Sequence, residues 1–120
     1  MEVLHAVGLY VLALVFVVAG VSHFTQPRFY ERLLPLWIPA HRLLVGLSGI
    51  AEIAVGVGLL FAATRGLAAW GAVALLVLFL FVHLYMLVDR EAGLGLPRWA
   101  LWLRFIVQFG LIAWAWVYTN

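Results

Sequence analysis

The chain contains no cysteine. Disulfide exchange by this chain, thiolate metal sites and iron–sulfur ligation are thereby excluded, while the compartment is left open. Charge is scarce as well: 10% of the 120 residues are Asp, Glu, Lys or Arg, against 68% apolar. A soluble domain of this length is nearer half apolar and a quarter charged, so the composition is that of an integral membrane protein. Lysine is missing, and all seven basic residues are arginine. The formal net charge of +2 is too small and too dispersed for a nucleic-acid surface. Nor is there a repeat, a low-complexity run or a linker, so one domain over residues 1–120 is the economical reading.

What the chain has instead is four apolar stretches of membrane length, expected as helices over roughly residues 3–22, 42–63, 67–88 and 98–118. The first is uncharged for about twenty residues, enough for the ~30 Å of a bilayer core. It has no Lys or Arg ahead of it and only a poor cleavage site at its end, so it is expected to stay as a transmembrane helix. Thr25 and Pro27 are start signals for a short second helix. There Phe29, Tyr30, Leu33 and Leu34 recur on one face and Arg28, Glu31 and Arg32 on the other, a pattern suited to the headgroup plane. Residues 35–39, bounded by Pro35 and Pro39, are expected either to fold over the bundle end as a lid or to anchor at the interface. Thr64, Arg65 and Gly66 are expected as a tight turn, and residues 89–97 as a charged loop closed by Pro97. The expected fold is all-α: an integral membrane antiparallel four-helix bundle with a short interfacial segment after the first helix.

Four spans place both ends of the chain and Arg65 on one side. Arg28, Arg32, Arg42, Arg90 and Arg98 fall on the other. The positive-inside rule makes the arginine-rich side cytoplasmic and both termini extracytoplasmic.

Glu52 lies at the middle of the second membrane-length stretch. A carboxylate at bilayer mid-depth costs on the order of 3 kcal/mol on insertion scales, so it should face protein and find a partner. At 100° per residue, Ser48, Gly49 and Gly56 fall within about 60° of it, and the glycines allow another backbone to come close. Depth counted from the cytoplasmic end of each span puts Arg104, Ser48 and His83 about 10 Å in and Gln108 and Glu52 about 15 Å in. His23 is left at the rim. Arg104 is the expected partner of Glu52, and Ser48, Glu52, His83, Arg104, Gln108 and His23 are the candidate ligand-binding or proton-handling residues. The same groups could equally act as polar glue that fixes helix order and binds nothing. His23 and His83 differ by about six residues in depth, which disfavours bis-histidine haem, and no metal-ligand spacing occurs within a helix.

The order and spacing of these residues resemble the DoxX family of small bacterial four-helix membrane proteins. The resemblance is carried by Gly20-Val21-Ser22-His23-Phe24 with Pro27, Ser48-Gly49-Ile50-Ala51-Glu52 with Gly56, Arg65, Tyr85-Met86, and Arg104 with Gln108. Phe81 and His83 depart from the proline and asparagine often found there in that family. The resemblance implies a bacterial inner-membrane subunit linked to redox systems, with a quinone as cofactor and a membrane or peripheral redox protein as partner. The rival expectation is a non-catalytic assembly or structural subunit whose Glu52–Arg104 pair only fixes packing. The lipid bilayer is the one partner composition itself implies, and a homo-oligomer is compatible with either reading.

Overall fold

The computed structural model describes residues 2–89 and 95–119. Residues 90–94 of the expected loop at 89–97, with Arg90 and Glu91, lie outside the described residues. Five helices are found among them: α1 (Glu2–Thr25), α2 (Pro27–Glu31), α3 (His41–Leu59), α4 (Ala62–Val88) and α5 (Arg98–Trp116), and no strand. Four of these, α1, α3, α4 and α5, are long and apolar enough to cross a membrane.

Two boundaries differ from the sequence reading, each for a local reason. α1 does not stop at Ser22. Ser22 Oγ donates to the Ala19 carbonyl at 2.7 Å and the Gln26 amide donates to the Ser22 carbonyl at 2.8 Å, so polar residues continue the helix instead of breaking it. The turn expected at residues 64–66 falls at 60–61. Thr64 Oγ1 donates to the Gly58 carbonyl at 2.7 Å and Arg65 Nε to the Leu59 carbonyl at 2.9 Å. Residues that look like a turn thus cap the last carbonyls of α3 from the first turn of α4. Pro27 occupies the first turn of α2, where its missing N–H costs nothing.

α1 packs along α3, α3 along α4, and α4 along α5, while α2 rests on the α1–α3 pair. The α1–α3 seam is the closest. A Cβ on Gly20 would lie 2.7 Å from the Gly49 carbonyl oxygen, and one on Gly56 would lie 2.8 Å from the Ala13 carbonyl oxygen. Ala13 and Gly20 on one helix and Gly49 and Gly56 on the other are each seven residues apart, so two small residues meet two small residues at successive levels. Leu9, Leu12, Phe16, Leu59, Ala72 and Leu76 form the larger core, and Met86, Leu87 and Leu101 a smaller one with Leu33 packed against it. α1 and α5 are tied at one end, where Tyr118 Oη donates to the His5 carbonyl at 2.8 Å. Away from that tie they approach only loosely.

Candidate functional site

Glu52 is buried, 5% exposed, on the face of α3 turned toward α1. Its nearest countergroup is His23, whose Nδ1 lies 3.0 Å from Glu52 Oε2. The same Nδ1 lies 2.7 Å from the Ala19 carbonyl oxygen. A carbonyl only accepts, so Nδ1 carries a proton, and that proton is directed along α1 to Ala19. Oε2 keeps a charge contact with His23 and has no aligned hydrogen bond of its own. Tyr30 of α2 stacks on the His23 ring with centroids 3.9 Å apart and planes at 15°. The Tyr30 hydroxyl is in turn hydrogen-bonded to Ser22.

The expected Glu52–Arg104 pair is not formed. Depths counted from each helix's own end assumed that the ends are level, and they are not. Gly20 opposes Gly49 and Ile53, so Glu52, eleven residues into α3, meets α1 only five residues from its end. α2, beyond the end of α1, also packs against α3. His23 is therefore beside Glu52, not at a separate rim.

Arg104 and Glu52 nonetheless border one cavity. It measures about 100 Å³ and is walled by Leu12, Val15, Phe16 and Ala19 of α1, Glu52 of α3, Leu76 and Phe79 of α4, and Arg104, Gln108 and Leu111 of α5. Gln108 is fully buried; its Nε2 donates to the Leu76 carbonyl at 2.7 Å and its Oε1 accepts from Arg104 Nη1 at 2.9 Å. Arg104 is exposed while forming part of the wall, which puts it at the mouth.

Two other candidates lie off the cavity. Ser48 donates to the Val45 carbonyl of its own turn at 3.0 Å. His83 is half-buried within electrostatic reach of Arg104, and its Nδ1 is buried with no hydrogen-bond partner. Residues 35–39 do not cover the cavity either: Leu36 and Trp37 project outward, 84% and 80% exposed, and it is Leu33, ahead of this segment, that packs against the α4–α5 cluster. The sequence reading missed Tyr30 as the group stacked on His23 and α1 as the main wall. The matched seven-residue spacing of Ala13–Gly20 and Gly49–Gly56 was the available signal for that wall. Among the described residues, no three His, Asp or Glu gather as metal ligands.

Residues 12–119 match the sequence profile of a domain of unknown function, DUF8561, and the chain belongs to that family. No curated protein and no solved structure matches it. The resemblance to the DoxX family is overturned by this assignment. Part of it was carried by small residues around a helix-borne acid, which the close α1–α3 approach requires in any bundle of this construction. The quinone and redox expectations rested on that resemblance and lose their ground with it.

Proposed function

We propose that this DUF8561 member is a single-domain integral membrane protein whose intramembrane cavity binds a lipid-like ligand, apolar over most of its length and polar at one end. In this reading the four long helices form an antiparallel bundle in the cytoplasmic membrane. Both termini are extracytoplasmic, on the strength of five arginines against one at or near the ends of the spans. Support for embedding comes from the outward faces, where Val3, Leu14, Leu43, Leu78, Phe81 and Ile106 are all more than half exposed. Apolar side chains in that number belong against hydrocarbon.

The observation that carries the reading is a cavity with apolar walls on which Glu52, Arg104 and Gln108 converge. Ionisable groups within a membrane span mark ligand or ion sites by default. A second reading, polar glue, is favoured by Gln108, which closes its bonds on Leu76 and Arg104 with no external group. Organic extraction and mass spectrometry of the detergent-purified protein discriminates between the two. The ligand reading expects a stoichiometric amphiphile in the wild type and its loss from Ala19→Leu, which fills the cavity. If the wild type carries none and Ala19→Leu is merely more stable, as filling an empty void should make it, the structural reading stands.

A further inference from the structure

We infer that the polar end of this ligand is a carboxylate, received by Arg104 after the molecule enters sideways between α1 and α5. The inference rests on the ligand reading above and adds the chemical class of the head and its route.

The first ground is the direction in which Arg104 points. Long side chains on a helix lean toward its N-terminus, and an arginine near a membrane face snorkels to the nearer headgroups. For Arg104 both tendencies lead toward Arg98, about 9 Å away along α5. The guanidinium goes the other way: Nη1 donates to Gln108 Oε1, one turn deeper. Gln108 is held there by its own bond to the Leu76 carbonyl on α4. A buried amide anchored to a neighbouring helix thus holds a cation at the cavity mouth.

The second ground is charge balance. The ionisable groups on the cavity wall are Glu52 on α3 and Arg104 on α5; His23 on α1 lies against Glu52 with Tyr30 of α2 over its ring, and His83 on α4 is off the cavity but within electrostatic reach of Arg104. Glu52 has its countergroup in His23 at 3.0 Å. Were Glu52 an anion beside a neutral His23, Arg104 on the same cavity wall would be its natural counterion, yet Arg104 closes on Gln108 instead. Among the described residues no carboxylate pairs with Arg104, so its charge is open to an incoming anion. Among the described residues Arg104 makes one hydrogen bond, so the rest of its donor fork is open.

The third ground is size and shape. A cavity of about 100 Å³ has room for roughly three water molecules. With Arg104 at the mouth of this space, a planar carboxylate meets its guanidinium fork with two parallel bonds while the first methylenes of the chain enter the apolar part. The access route follows from the helix arrangement: α1 and α5 are joined at the Tyr118–His5 end and part beyond it, and Val15, Phe16 and Leu111 offer an apolar lining there for a chain lying in the bilayer.

The test is a titration of delipidated full-length protein in a neutral maltoside, read by native mass spectrometry. Oleate, methyl oleate and oleoyl lysophosphatidylglycerol are the probes. Oleate is expected at one per chain and roughly tenfold or more tighter than either of the others, the worth of a charge-assisted hydrogen bond. Arg104→Gln should abolish the preference for oleate over methyl oleate, Arg104→Lys should retain part of it, and Arg98→Gln should leave it unchanged. Equal binding of oleate and methyl oleate would overturn the carboxylate assignment while sparing the pocket, as would tighter binding of the lysophospholipid. A preference that survives both Arg104 variants would overturn the assignment to Arg104. Failure of all three probes to bind would remove the ligand reading itself.

Discussion

Replacing Gly20 by alanine would place a Cβ 2.6 Å from Ile53 Cγ1, 2.7 Å from the Gly49 carbonyl oxygen and 3.0 Å from the Ile53 amide nitrogen. The isoleucine side chain can turn aside, but the two backbone atoms cannot, so the axes of α1 and α3 must separate along the seam. Overpacking of this kind costs about 1–3 kcal/mol. Alanine recovers up to about 1 kcal/mol through its better helix propensity, leaving a net loss of roughly 1–2 kcal/mol. Gly110 supplies the control, because nothing lies within 4 Å of the Cβ it would gain. There only the propensity term operates, and Gly110→Ala should stabilise by roughly 0.5–1 kcal/mol. Reversible unfolding in mixed micelles, followed by far-ultraviolet circular dichroism, reads both changes on one scale. The expected result is a difference of about 2 kcal/mol between two chemically identical substitutions. If both variants shift the same way by the same amount, α1 and α3 do not meet as closely as described.

Other outcomes follow from neighbouring contacts. Glu52→Gln and His23→Leu should each destabilise by up to roughly 3–5 kcal/mol, with the double variant costing less than the sum; strict additivity in the same unfolding assay would separate the two side chains. Gln108→Leu, which removes the bonds to Leu76 and Arg104, should cost about 1–3 kcal/mol, and a neutral result would mean those bonds contribute nothing. Ala40 holds a left-handed backbone, φ 55°, just ahead of α3, so Ala40→Gly should stabilise by about 0.5 kcal/mol despite the added chain entropy; loss of stability would count against that geometry. Cysteines introduced at Gln26 and Asn120 should react with an impermeant thiol reagent from opposite sides of the membrane, only Asn120→Cys being labelled on intact cells. Labelling at Gln26→Cys alone would invert the orientation.

Much of the architecture was legible in the sequence because the bilayer constrains it so heavily. A helix that is to cross hydrocarbon needs about twenty apolar residues, and four such runs stand out at 3–22, 42–63, 67–88 and 98–118 against a polar minimum between them. Helix ends were less legible. Whether Thr64 and Arg65 form a turn or cap the preceding helix depends on which carbonyls their side chains can reach, and that is a matter of three-dimensional approach. The same holds for Ser22, which reads as a polar stop and acts as a bond within α1.

The need for a partner to Glu52 also follows from sequence alone, since a lone acid in an apolar span is too costly to leave unpaired. Its identity does not. Depth counted along each helix selects Arg104, whereas the stagger of α1 against α3, set by glycine-to-backbone contact at Gly20 and Gly56, delivers His23. A shift of a few residues between two helices moves a side chain by more than its own length, at 1.5 Å per residue. The composition of the chain determines that it carries membrane-capable helices and a buried acid. Only the packing of those helices decides that the acid meets a histidine, and that the arginine lines a cavity while bonded to a glutamine.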